Sequence, residues 1–289
     1  MIFRIKSKFY RELGKIFGYR PNSYPYLTGD GLRLLADHIY DDDKKCAARD
    51  IKLAEIVFLQ SDKIDEWFKN VHPNIEASYK LITHNGDRCV GEKEVLYIDN
   101  KIIKWFAQNN TYSHAKVIPI PIGIENRALF YHGWAFEKRA RKLLRNKTEK
   151  INRIIVGFNP STNPMERNAA LTALKKSSAA DEIKTRVNPF QYFEMLNKYK
   201  FVASPEGNGP DCIRTWEALA LGVIPIVKNT SDCQIISQNT FPILVINNWD
   251  EVVEMTEERL ASIFSQYESV EKSDITKLDY WENIIRKYE

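Results

Sequence analysis

Short apolar runs recur along the chain, and most are followed by a stretch with apolar residues at helical spacing. Ala54–Leu59, Tyr79–Thr83, Leu96–Ile98 and Lys116–Ile120 read as strands, with a helix through Ile64 and Trp67 and another over Ile102–Gln108. Further on, Ile151–Phe158, Phe201–Ser204, Val223–Val227 and Ile243–Ile246 read as strands, with a shorter one near Thr185–Val187. The intervening helices run over Leu129–Lys150 (with a linker), from Pro164 through Leu171, over Pro189–Tyr199 and from near Asp211. Two more, Trp249–Gln266 and Leu278–Tyr288, close the chain. Pro189 marks a helix start, because proline fits the first helical position. Strands alternating with helices predict parallel sheets of the α/β class.

This alternation divides the chain into two small doubly wound, Rossmann-like lobes, over 21–130 and 151–250, with closing helices over 251–289. A cleft between two such lobes is a natural place for a nucleotide and a second substrate. Neither lobe carries GxGxxG at its first turn, which weighs against a nicotinamide or flavin cofactor. Residues 1–20 stand apart. Ile2, Ile5, Phe9, Leu13 and Ile16 share one helical face, and Arg4, Lys8, Arg11 and Lys15 share the opposite one. A basic amphipathic helix of this kind suits an anionic membrane surface, or packs on its own domain with the charges in water.

Composition adds little. The chain has 289 residues, 44% hydrophobic and 28% charged, which is ordinary for a globular protein. A net charge of +4 is too small to argue for nucleic acid. The charge is uneven, however: residues 1–20 hold six bases and one acid, and 250–289 hold eleven acids and five bases. Cys46, Cys89, Cys212 and Cys233 form no CxxC and no metal-type spacing, so free thiols in a reducing compartment are expected. No apolar run approaches 18 residues and no signal-peptide core is visible. The expectation is a cytoplasmic protein, held peripherally at a membrane if residues 1–18 bind one.

The chemistry concentrates in Phe201–Val227, FVASPEGNGPDCIRTWEALALGVIPIV, a strand, a glycine loop, a helix and a strand. The loop Glu206-Gly207-Asn208-Gly209-Pro210 brings backbone N–H groups and a positive helix end to the carboxyl edge of a sheet, where phosphate is stabilised. Arg214 and Glu217 are three residues apart and neighbour each other on the helix. An arginine grips phosphate oxygens, and a carboxylate accepts from ribose hydroxyls. A surface ion pair would use the same two residues.

The segment resembles the C-terminal signature of exostosin-like glycosyltransferases. The residues that carry the likeness are Pro205-Glu206-Gly207, Asp211, Arg214, Trp216-Glu217-Ala218-Leu219 and Gly222-Val223-Ile224-Pro225. Ile82–Asp87, Trp105–Asn109 and Ile120–Asn126 are similar to the bacterial and viral branch of that family. The resemblance implies a GT-B-like architecture and sugar transfer from a nucleotide donor.

The donor diphosphate is expected on Arg214 and the N–H groups of Gly207, Asn208 and Asp211. Arg167 and Thr162, at a second strand-to-helix corner, are further candidates, with Asn163 beside them. Glu217 is expected on the ribose, and Glu206 on the donor sugar or ribose, unless it holds the loop. Asp211 caps the helix or touches the donor. For the base that takes the acceptor proton, Asp87 and His84 are candidates on an Asn-Gly turn, with Glu125 in reserve and Asn109 as a positioning residue. Asp41-Asp42-Asp43 matches a metal-binding DxD pattern but reads more simply as a solvated acidic turn, so no metal and no cofactor are expected. The leading expectation is an inverting, metal-independent glycosyltransferase that takes a nucleotide-sugar donor and a glycan or lipid-linked glycan acceptor. A nucleotide-sugar-modifying enzyme and a non-catalytic sugar- or nucleotide-binding module are the alternatives.

Overall fold

The structure is a computed structural model that describes residues 8, 9, 12, 16, 20–21, 23–127, 131–146, 148–230, 233–237, 241–267 and 274–288. The amphipathic helix expected over 1–18 therefore lies outside the described residues, apart from four helical positions. No helix among the described residues is long and apolar enough to cross a membrane. The chain forms two compact units. The first comprises 1–134, 232–235 and 277–289, and the second 135–231 and 236–276. Each holds one five-stranded, wholly parallel sheet flanked by helices, as a GT-B-like fold of two Rossmann-like units requires.

In the first unit the strands are β1 (His38–Tyr40), β2 (Ile56–Gln60), β3 (Tyr79–His84), β4 (Ile102–Ala107) and β5 (Val117–Pro119), side by side in chain order. This corrects the doubly wound expectation, because the strand order never reverses. Crossovers that all advance in one direction and one hand place their helices on one face. On that face Val57, Leu59, Leu81 and Trp105 pack with Ile64, Trp67 and Phe68 of the helix Ile64–Asn70. The opposite face is covered from outside the crossovers. Phe106 meets Tyr288, just past the last helix Leu278–Lys287, with ring centroids 6.1 Å apart, and Lys104 Nζ lies 4.9 Å from the same ring.

Two further expectations fail here. Ile102–Ala107 is a strand rather than a helix, and 96–97 form a turn after the short helix Glu92–Val95, with Leu96 exposed. A strand buried on both faces reads as an unbroken apolar run, without the alternation that would identify it.

The second unit contains β6 (Ile151–Val156), β7 (Ala180–Glu182), β8 (Tyr199–Ala203), β9 (Ile224–Lys228) and β10 (Leu244–Ile246), in the order β7-β6-β8-β9-β10. The chain leaves β6 toward β7 on one side and returns to β8 on the other. In open α/β sheets ligands bind beyond the carboxyl ends of the strands where the order reverses. Here that place lies past Val156 and Ala203. The edge strand expected near 185–187 is instead at Ala180–Glu182.

Candidate functional site

Two strand-to-helix corners meet at the reversal. After β6 the chain runs Gly157-Phe158-Asn159 into a turn at Pro160–Thr162 and then the helix Pro164–Leu174, capped by Asn163. After β8 it runs through Glu206–Pro210 into the helix Ile213–Ala220. Arg167 joins the corners. Its Nε donates to the Glu206 carbonyl at 2.8 Å and its Nη1 to the Asn159 carbonyl at 2.9 Å, while Asn163 Nδ2 donates to the Gly207 carbonyl at 3.2 Å. Gly207 lies close against this arginine: a Cβ there would be 2.9 Å from Arg167 Nη2, which would have to shift. Thr162, Arg167 and Gly207 thus lie together at one sheet edge.

Arg214 arrives from the start of the second helix. Its Nη2 reaches the Gly157 carbonyl at 3.5 Å, whereas its Nε and Nη1 are buried without a hydrogen bond among the described residues. No carboxylate forms a salt bridge with Arg167 or Arg214 among the described residues. Arg167 is only 6% exposed, and its guanidinium is held below its ordinary pKa by burial and by the charge of Arg214. Two close cations in salt bridge with no described carboxylate favour an anion, because its arrival relieves their repulsion as well as adding its own attraction.

The helix behind them presents its first N–H groups uncapped. Its cap residue is Cys212, which makes no side-chain cap bond. This corrects the capping role expected of Asp211. That buried carboxylate accepts from Trp216 Nε1 at 2.7 Å instead, which fixes the indole under the loop. Cys212 Sγ lies 3.4 Å from the Pro205 carbonyl, and burial pushes its thiol up in pKa. Glu217 is 1% exposed, Glu206 is half-buried and Asn208 is exposed.

In the first unit the candidate base residues separate. Asp87 is exposed, in the loop after β3. His84 is buried. The Asn85 N–H donates to its Nδ1 at 2.8 Å, and its Nε2 lies 3.2 Å from the Pro121 carbonyl. Desolvation pushes its pKa down to about 4, so it is neutral near pH 7. Both ring nitrogens are thus engaged, and the ring is a weak base.

Asn85 belongs to a ring of three residues that sequence reasoning missed. Its Nδ2 donates to Asp30 Oδ1 at 3.1 Å, the Asp30 N–H to Asn126 Oδ1 at 2.8 Å, and Asn126 Nδ2 to Asn85 Oδ1 at 2.7 Å. Arg20 Nη1 also reaches Asp30 Oδ1, at 3.1 Å. Asn109 follows β4 and, like Asn85, has a positive φ (52° and 59°), so two adjacent strand ends carry strained backbone. Glu125 Oε1 accepts from the Asn126 N–H at 3.0 Å.

Of the acidic triplet only Asp42 is exposed as expected. Asp41 is 2% exposed and accepts from Arg33 Nε at 2.6 Å, while Asp43 accepts from Arg20 Nη2 at 2.7 Å. These carboxylates already serve arginines. Among the described residues no cluster of three or more His, Cys, Asp or Glu is placed to hold a metal ion.

Residues 160–283, somewhat under half of the chain, match the RXYLT1 C-terminal domain. The match includes Thr162, Arg167, Gly207 and Arg214 but begins after β6. No curated protein matches the chain. Solved structures similar to it include an alpha,alpha-trehalose 6-phosphate synthase from Burkholderia multivorans, 7% identical, with a TM-score of 0.45, covering 83% of this chain and 72% of the other. A second is an alpha,alpha-trehalose-phosphate synthase (UDP-forming) from Burkholderia vietnamiensis, 6% identical, with a TM-score of 0.41, covering 83% of this chain and 76% of the other.

Proposed function

We propose that the chain is a glycosyltransferase that moves a sugar from a nucleotide donor to a glycan acceptor, with inversion and without a metal. The observation that carries this is the Arg167–Arg214 couple at the strand reversal, beside the uncapped end of the helix Ile213–Ala220. The match of residues 160–283 to the RXYLT1 C-terminal domain and the Pro205–Pro225 signature support the same reading.

In this reading the two guanidinium groups and the loop N–H groups of Gly207 and Asn208 take the charge that grows on the diphosphate as its bond to the anomeric carbon breaks. Such preorganised electrostatic stabilisation is commonly the largest contribution to catalysis. The acceptor hydroxyl forms the new bond to that carbon and gives its proton to Asp87, the exposed candidate. Glu206 and Glu217 are proposed for the donor's sugar and ribose. Glu217 is buried, so it reaches a ribose only at the floor of the site. We extend the proposal to a lipid-linked acceptor met at the cytoplasmic face of a membrane, with residues 1–18 on its surface. Flotation with anionic liposomes that fails to distinguish the full chain from one lacking 1–18 overturns that extension.

The deciding test is calorimetric titration with UDP-, GDP-, dTDP- and CMP-sugars, followed by turnover. Micromolar binding of a nucleoside diphosphate sugar, slow hydrolysis of it in water and faster loss with acceptor are expected. Binding without any cleavage would leave a non-catalytic module. Activity lost in EDTA and restored by manganese would overturn the metal-independent mechanism.

A further inference from the structure

Three consecutive residues after β6 hold both arginines. The carbonyl of Gly157 takes Arg214 Nη2 at 3.5 Å, and that of Asn159 takes Arg167 Nη1 at 2.9 Å. The ring of Phe158 lies between these two anchor points in sequence and touches both cations. The Arg167 Cζ is 5.9 Å from its centroid and the Arg214 Cζ is 5.8 Å. Both distances fall within the range of cation–π attraction.

We propose that Phe158 is a positioning residue, whose ring holds the two guanidinium groups together as a ready clamp for the donor's diphosphate. This rests on the reading of the site as a diphosphate site. Like charges repel, and while two backbone carbonyls hold Arg167, Arg214 has only the long 3.5 Å contact to Gly157 to keep it alongside. A carboxylate between them would hold both, but it would neutralise the cations and compete with the incoming anion. An aromatic face attracts both cations through its quadrupole and accepts none of their N–H donors in conventional hydrogen bonds. The clamp therefore stays charged and assembled, and the anion does not have to pay for its ordering.

The probe is inorganic pyrophosphate, with orthophosphate as the comparison, titrated calorimetrically into the full chain. Phe158→Leu is expected to weaken pyrophosphate about tenfold, equivalent to about 1.4 kcal/mol. Orthophosphate, which needs only one cation, should weaken less. Phe158→Tyr keeps the π face and restores most of the affinity. Pentafluorophenylalanine at 158 keeps the ring's shape and reverses its quadrupole, so it should bind as weakly as the leucine variant with an unchanged melting temperature. If the fluorinated protein binds like wild type, the ring only fills space and the inference is wrong. Should Phe158→Leu not fold, the fluorinated protein decides alone. If wild type does not bind pyrophosphate, or Arg167→Ala and Arg214→Ala leave its binding unchanged, the diphosphate reading itself fails. If binding depends on both arginines and no change at 158 affects it, only the role of Phe158 falls.

Discussion

Arg214 carries its charge beside the loop after β8 with two buried donors unsatisfied, a condition that costs stability until an anion fills it. Arg214→Ala should therefore lower nucleotide affinity by roughly 2–5 kcal/mol, and calorimetry on a nucleoside diphosphate reads this directly. Gly207→Ala places a methyl against Arg167 Nη2, whose other nitrogens are tied to two carbonyls, so affinity should fall while the melting temperature hardly moves. His84 makes a pH-dependent contribution. Its folded pKa of about 4 lies below the unfolded 6.5, so the unfolded chain takes the proton first. The stability it contributes is intact above pH 6.5 and is lost as pH falls toward 4, by about 3 kcal/mol in all. Asp30, raised by burial, gives a slope of the opposite sign, so the measurement is the difference between wild type and His84→Gln, which should be less sensitive to acid. Arg214, Gly207 and Arg167 were legible in the sequence because each lies in the loop or near the start of the helix that follows an apolar strand. Phe158 was not, since an aromatic at the end of an apolar run reads as core. The Asp30–Asn85–Asn126 ring joins residues 41 to 96 positions apart, and no local pattern announces it.

Strong boundary chemistry fixed where a helix starts better than where it ends. The helix Pro189–Leu196 begins with Asn188 accepting from the Gln191 N–H at 3.0 Å and Gln191 Oε1 accepting from the Asn188 N–H at 3.0 Å. Asn188→Ala should cost about 1 kcal/mol in a denaturant titration, with the slope unchanged. Elements without such marks were misread. β4 (Ile102–Ala107), apolar on both faces apart from Lys104, shows no clean alternation, and β1, three residues long, was too short to recognise. The start of the helix Ile213–Ala220 was misassigned by one residue, since Asp211 is a better cap by type than Cys212. Trp216, one turn into that helix, takes the carboxylate instead.

Across the whole chain, the alternation of strand and helix identified two parallel sheets, but strand order is set by which crossover turns back, and hydrophobic spacing does not record that. The reversal in the second sheet puts the arginine couple where a ligand belongs; the first sheet has none. Its uncovered face is closed by Leu278–Lys287, where Trp281 and Ile285 are buried. Ending the chain at 276 should therefore speed amide exchange in β3 and β4 while leaving β6 and β8 protected. During synthesis the same arrangement imposes a timetable. All five strands of the first sheet leave the ribosome more than a hundred and fifty residues before the segment that shields Phe106. Until then that face of the sheet lacks part of its cover, so these strands stay prone to aggregation after they are made, and a chaperone that holds nascent chains would find its handle there.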